Sequence, residues 1–311
     1  MKIYDGFQDK RLKPKPRCVA IGIFDGVHRG HQRILRQVVR DAKRYRASPA
    51  VITFDPHPSK LLKPKGPQPI LISFKHRLLF FKQLGLSETV AIHFDERFSQ
   101  IPHQVFLDEL LIGRLGMRSL SVGDDFRFGC RARGNVSFLR RESRRKGFKL
   151  SLVRPLKYKG EMISSTRIRR LIERGNLEKA AKMLGRPVSI YGTVVGGHRR
   201  GRLLGIPTAN INPHHETLPP DGVYAAWGML GKRKFKSVVH IGPKPTFGDW
   251  EKSLEVHLLG FHGDLYGKDM ELLFVKRLRR GRPFKTPAQL ARAIQTDMQK
   301  TEELLSSKMP P

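Results

Sequence analysis

Close to the start of the 311-residue chain, the stretch Gly22-Ile23-Phe24-Asp25-Gly26-Val27-His28-Arg29-Gly30-His31 groups residue types suited to handling a phosphate chain. His28 and His31, three positions apart, can face one anion and stabilise charge on a phosphoryl group under attack. Gly22, Gly26 and Gly30 let the backbone approach a ligand closely, and Phe24 and Asp25 complete the frame. An H-x-G-H pattern by itself also fits a glycine turn with two surface histidines. The setting argues for chemistry. Cys18 to Ile23 reads as a buried strand, and His31 to Arg46 carries Ile34, Leu35, Val38, Val39 and Ala42 at helical spacing. The turn then feeds a helix N-terminus, whose unpaired N–H groups and positive dipole attract an anion. A nucleoside triphosphate suits this composition, because phosphoryl and nucleotidyl transfer need mainly positioning and electrostatics.

A second group, Ser164-Ser165-Thr166-Arg167, offers hydroxyls, a helix start and a guanidinium, which together suit phosphate oxygens. Alone it reads equally well as a capped basic helix.

The elements that must hold these residues alternate through the first part of the chain. Strands are expected over Pro49 to Phe54, Thr89 to Phe94, Ser119 to Val122 and Lys149 to Val153. Helices are expected over Ser73 to Leu84, Pro102 to Ile112, Asn135 to Lys146, from the Ser164 group to Glu173 with Gly175 as stop, and in a short stretch through Leu184. Such alternation predicts a parallel sheet covered on both faces, with ligands beyond the carboxyl ends of its strands. The His28 turn lies at that edge, as does Gly123-Asp124-Asp125-Phe126-Arg127-Phe128-Gly129. Gly185-Arg186-Pro187 breaks the pattern. From there, strands over Ser189 to Val195, Gly222 to Met229, Lys236 to Ile241, Ser253 to Leu259 and Met270 to Leu278 predict an antiparallel barrel, closed by a helix from Thr286 to Leu305. The boundary is expected at Pro187, giving domains 1–186 and 187–311.

The charge is unusual: 60 Lys and Arg stand against 27 Asp and Glu, a net +33. Residues 1–186 hold 41 of the basic and 16 of the acidic residues, so +25 lies in that part. This field attracts polyanions, ATP and nucleic acid alike, but a solvated basic surface accounts for it equally. No aromatic-basic surface motif accompanies it, so no specific nucleic-acid partner is expected. No apolar run is long enough to span a membrane, and the N-terminus lacks the apolar stretch of a signal peptide. The two cysteines, Cys18 and Cys130, provide neither a metal-binding spacing nor a disulfide framework, so a cytoplasmic location is expected.

GIFDGVHRGH with the later ISSTRIR resembles the adenylyltransferases of the HxGH nucleotidyltransferase superfamily. Four stretches resemble the riboflavin kinase module: GRLLGIPTAN from Gly201 to Asn210, LPPDGVY from Leu218, LEVHL from Leu254 and DLYGK from Asp264. Both modules in this order resemble the bacterial bifunctional riboflavin kinase/FAD synthetases over nearly the whole chain. The resemblance implies a Rossmann-like HxGH domain followed by a β-barrel kinase domain. It implies two ATP-dependent reactions: the barrel phosphorylates riboflavin to FMN, and the N-terminal domain adenylylates FMN to FAD, releasing pyrophosphate. It also implies roles. Thr208 and Asn210 would organise Mg²⁺ and the ATP phosphates, in keeping with the oxygen ligands that cation prefers. Gly201, Gly205 and Pro207 would frame the nucleotide. Glu255 would take the proton of the ribityl hydroxyl as general base. His28 and His31 would act on the transferring phosphoryl group, Ser164, Thr166 and Arg167 on the triphosphate, and Asp125 would line the FMN/ATP cleft. Two departures stand out. Relatives often carry arginine just before ISST, where this chain has Glu161-Met162, and asparagine at the position of His240. One triphosphate contact would then be missing, or would fall to Arg167 or Arg169.

Overall fold

The computed structural model describes residues 1–62, 66, 68–196, 206–215, 217–243 and 252–306. The chain folds as two compact units, one of Met1–Ile70 with Phe74–Ser164, the other of Leu71–Ser73 with the chain from Ser165 onward.

The first unit is built on β1 (Lys2–Asp5), β2 (Arg17–Ile21), β3 (Ser48–Phe54), β4 (Glu88–Ile92), β5 (Met117–Gly123) and β8 (Lys149–Val153). They form one six-stranded sheet in the order β1-β4-β3-β2-β5-β8, and every pairing in it is parallel. Two-residue hairpins flank it, β6 (Arg127–Phe128) with β7 (Gly134–Asn135), and β9 (Lys157–Tyr158) with β10 (Glu161–Met162). The helices are α1 (Arg29–Arg44), α2 (Ser59–Leu62), α3 (Phe74–Gln83), α4 (Glu96–Ser99), α5 (His103–Val105) and α6 (Val136–Lys146).

β2 is buried along its whole length, because a parallel sheet covered on both faces leaves its central strands no polar side. From β2 the chain winds one way through β3 and β4, then returns to β5 on the other side of β2. The order therefore reverses between β2 and β5, the position where open α/β sheets bind ligands. α1 lies on β2 and β5 and buries Leu35 and Val38, each contributing about 1.5–3 kcal/mol. Its buried Asp41 accepts hydrogen bonds from Ser119 of β5 at 3.0 Å and Ser151 of β8 at 3.1 Å, which pins the helix over these strands.

Two expectations need correction here. β1 forms an edge strand where none is expected, since Lys2–Asp5 carries no alternation that marks a strand. The helix expected over Pro102 to Ile112 is instead a short α5 that runs on as π-helix over Phe106–Arg114.

At the opposite end of the sheet, Arg17 is almost fully buried. It donates to the Glu88 carboxylate at 2.6 Å and to the carbonyls of Lys13 and Leu115, while Lys15 lies 2.5 Å from Glu88. Burial alone would raise the Glu88 pKa, but the hydrogen bonds from Lys15 and Arg17 outweigh it and hold the carboxyl below its ordinary value. A carboxyl so depressed stabilises the fold above its unfolded pKa and loses that contribution as pH falls through the folded value. Glu88→Gln leaves Arg17 buried without its counter-charge and is expected to cost about 3–5 kcal/mol at pH 7. It should also flatten the acid limb of the pH–stability curve. Urea midpoints at neutral and acid pH check this, and a loss below about 1 kcal/mol would reduce the cluster to a surface-type ion pair.

The second unit carries α7 (Ser165–Glu173), α8 (Leu177–Leu184), a barrel and α9 (Pro287–Ser306). The barrel strands are β11 (Ser189–Val195), β12 (Ala209–Pro213), β13 (Gly222–Leu230), β14 (Arg233–Pro243), β15 (Lys252–Leu258) and β16 (Asp269–Arg279). They close in the order β11-β12-β15-β14-β13-β16, all antiparallel. Inward residues such as Ile211, Tyr224, Val239, Ile241, Leu254, Val256 and Phe274 fill it. β12 is absent from the strands read off the sequence. Ala-Asn-Ile-Asn-Pro is a poor intrinsic strand, and its pairing with β11 and β15 makes it one. α9 covers the outside, where Leu305 meets Trp227 and Leu273, and Asp297 accepts a two-pronged hydrogen bond from Arg279.

Candidate functional site

In the first unit, the turn after β2 places the two histidines. Phe24 adopts a left-handed conformation, φ 54°, and is buried with its ring edge-on to His31 and Phe81. Any role for Phe24 in nucleotide binding therefore belongs to its backbone, and Asp25 is buried as well. α1 starts at Arg29, two residues earlier than its apolar pattern indicates, and His28 is its N-cap. The Nδ1 of His28 accepts the His31 N–H at 3.3 Å, so its proton sits on Nε2. The two imidazoles stack, with centroids 3.5 Å apart and planes 18° from parallel. A Cβ at Gly30 would approach His28 Cε1 to 3.1 Å, and one at Gly22 would approach Phe24 Cζ to 3.1 Å, which explains small residues at both positions.

Arg77 of α3 braces this turn and is not identified by sequence reasoning. Almost fully buried, it donates to the Ile23 carbonyl at 2.7 Å, to Thr53 Oγ1 at 3.0 Å and to the Phe54 carbonyl at 3.0 Å. It thereby ties the exit of β2 to the exit of β3. Burial pushes its guanidinium below the ordinary value, against the opposing pull of Asp25 and Asp55. No local signal separates it from the other arginines on helices.

Asp125 is exposed in the turn after β5, the strand beside β2. Ser164 ends the first unit, and Ser165, Thr166 and Arg167 form the first turn of α7 in the second. Thr166 is exposed and Arg167 half-buried. Met162, at the departure from the family pattern, is exposed on β10.

In the second unit, the barrel brings together residues distant in sequence. Asn210 of β12 is the register partner of Glu255 on β15, and Glu255 is in turn the partner of His240 on β14. Their strand neighbours Ile211, Leu254, Val256 and Ile241 fill the barrel, so Asn210, Glu255 and His240 share its outer face. Paired residues in such ladders have Cβ atoms about 4.5–5.5 Å apart. The Glu255 carboxylate therefore stands between an amide and an imidazole. The His240 ring lies over Gly242, where a Cβ would come within 2.7 Å of Cε1. Pro207 is exposed and Thr208 half-buried. Gly201 and Gly205 lie outside the described residues.

His257, two positions along the same outer face, adds a contact not foreseen from sequence. Its Nδ1 is 2.7 Å from the Pro207 carbonyl oxygen. A carbonyl only accepts, so Nδ1 carries the proton. This bond holds the chain just ahead of Thr208 against β15. For the kinase activity that the sequence resemblance implies, His257→Ala is expected to raise the KM for MgATP in riboflavin phosphorylation roughly three- to tenfold, the worth of one hydrogen bond. His257→Asn should restore part of it and FMN adenylylation should not change. Steady-state kinetics on both reactions check this, and equal losses in both would point to unfolding.

A family model described as FAD synthetase matches residues 10–167, and one described as riboflavin kinase matches residues 184–305. The bifunctional riboflavin kinase/FMN adenylyltransferase of Escherichia coli (strain K12) is 32% identical, with both chains covered completely. The chain belongs to the bifunctional riboflavin kinase/FMN adenylyltransferase family. Its counterpart from Pseudomonas fluorescens is 34% identical over 92% of this chain and 93% of that one. A solved structure described as a macrolide-efflux protein from Streptococcus pneumoniae shares the architecture, with a TM-score of 0.83, 27% identity and 99% of both chains covered. As a member of the family, the chain carries an FMN adenylyltransferase domain followed by a riboflavin kinase domain. Among the described residues, no helix is long and apolar enough to cross a membrane.

Proposed function

We propose that the two reactions run on separate residue sets, with the functional boundary at 186/187 and the chain acting in the cytoplasm. Riboflavin phosphorylation is assigned to the outer face of the barrel around Glu255. The observation that carries this is the Asn210–Glu255 rung, which sets a carboxylate beside an amide oxygen on adjacent strands. Glu255 takes the proton of the ribityl hydroxyl as that oxygen attacks the γ-phosphate of ATP, breaking its bond to the β,γ-bridging oxygen so that ADP leaves. The donor set of Thr208 hydroxyl and Asn210 amide fits Mg²⁺, a hard cation that keeps several waters and shares phosphate oxygens. When bound, the ion neutralises charge on the transferring phosphoryl group. Gly201, Gly205 and Pro207 frame the nucleotide, and His257 holds the Pro207 carbonyl.

FMN adenylylation is assigned to the turn after β2. The stacked His28 and His31 stabilise charge at the α-phosphate while an FMN phosphate oxygen attacks it and pyrophosphate leaves. Ser164, Thr166 and Arg167 engage the triphosphate, and Asp125 borders the flavin nucleotide. Gly22, Phe24, Asp25, Gly26 and Gly30 shape the turn that this requires. The FMN made at the barrel is the substrate of the second reaction. The test is a product time course from riboflavin, ATP and Mg²⁺, run on the wild type and on single variants at Glu255 and His28. FMN should rise before FAD, and each variant should remove one product-forming step. Loss of both steps in either folded variant would sink the two-site reading.

A further inference from the structure

Two basic clusters in the chain have opposite fates in the fold. In the run from Arg277 to Arg282, Arg277 donates to the Asp221 carbonyl and lies over the Tyr224 ring. Arg279 is clamped by Asp297, and Arg282 lies 5.1 Å over Phe284. Most of that cluster has partners inside the second unit, and only Arg280 lacks a side-chain partner among the described residues. The cluster on α6 is not. Arg141 and Arg145 share the buried Glu142, and Lys146 holds Asp108 at 2.9 Å. Arg140 and Arg144 make no side-chain hydrogen bond or ion pair among the described residues, and both are exposed. At 3.6 residues per turn, the buried Phe138, Leu139 and Glu142 mark the inner face of α6. Ser137, Arg140, Arg141 and Arg144 then fall on the outermost stripe. Arg140, Arg141, Arg144 and Arg145 line an open cleft of about 620 Å³ with Ser137 as its remaining lining residue. Arg131 and Arg133, also exposed, extend the run just ahead of the helix. Like charges at i, i+4 disfavour a helix, so this stripe works against the helix that carries it.

We propose that the outer face of α6 is a docking surface for the phosphate backbone of a nucleic-acid duplex, bound without base readout. Arginine forks match phosphate oxygens in pairs, which fits a phosphodiester chain. The exposed face of α6 carries no aromatic residue on which an unpaired base could stack, which favours a duplex over a single strand. It carries no large apolar residue to enter a lipid headgroup layer, which disfavours a membrane. The surrounding field is attractive, since residues 1–164 carry 34 Lys and Arg against 14 Asp and Glu, +20 of the net charge.

The test is fluorescence anisotropy of a labelled mixed-sequence RNA duplex of about 20 base pairs, titrated with full-length protein across a salt series. Arg140→Gln/Arg144→Gln is compared with Arg292→Gln/Lys300→Gln, a charge-matched pair of exposed positions on α9. The α6 variant is expected to bind roughly tenfold or more weakly, with the slope of log K against log salt reduced by about two. The α9 variant should stay near wild type, and both should make FMN and FAD at wild-type rates. Equal weakening by the two variants would overturn the proposal, since a diffuse field would then explain the binding. So would α6-dependent binding to anionic phospholipid vesicles without duplex binding, sequence-selective binding, or no duplex binding near about 0.15 M salt.

Discussion

Glu255→Gln is expected to lower riboflavin phosphorylation by about 10²–10⁴-fold, the range for losing a positioned general base, and to leave FMN adenylylation intact. Glutamine keeps the shape of glutamate and an acceptor oxygen near the ribityl hydroxyl, but it cannot take the proton. Glu255 lies on the outer, half-buried face of β15, so the exchange leaves the barrel interior undisturbed. A stability change within about 0.5 kcal/mol is expected. Chromatographic separation of flavins checks the result, starting from riboflavin in one assay and from FMN in the other. Residual activity above about a tenth of wild type would remove Glu255 from the role. His240 is the alternative base to examine in that case, because it is the other titratable partner on the same rung. Its signature would be loss of riboflavin phosphorylation in His240→Asn with FMN adenylylation intact.

The second large effect concerns His28. His28→Ala is expected to reduce FAD formation by roughly 10²–10³-fold, the usual loss on removing one electrostatic stabiliser of a transition state. Riboflavin phosphorylation should persist. Alanine also removes the N-cap of α1 and one of two stacked rings, and loss of a cap costs about 0.5–2 kcal/mol. His28→Asn separates the two effects. Asparagine caps helices well, so thermal stability should approach wild type while FAD formation stays low. Near-normal FAD formation by His28→Asn would mean that His28 acts only as a cap. Melting curves read beside the FAD assay distinguish these outcomes.

The site in the first unit is largely legible in the sequence because its signals are local. A strand, glycines, two histidines and an amphipathic helix follow one another within Cys18 to Arg46, and the fold uses them in that order. The start of α1 escapes the sequence because an apolar period marks a buried face, not a cap, and His28 takes the cap by adopting an extended conformation. Arg77 is invisible for a different reason. A buried cation that gathers carbonyls from two strand ends looks, in sequence, like any arginine on a helix.

The residues alone determined that a parallel-sheet module precedes an antiparallel module, and that the first carries a glycine- and histidine-bearing turn between a buried strand and a helix. Those features depend on hydrophobic period and turn chemistry, which act over a few residues. Tertiary structure decided the rest. β12 exists because β11 and β15 offer it hydrogen-bond partners that its own composition does not demand. That pairing sets Asn210 against Glu255 and brings Pro207 to His257. Register between strands far apart in the chain is set by closure of the whole barrel, so no local pattern could have specified it.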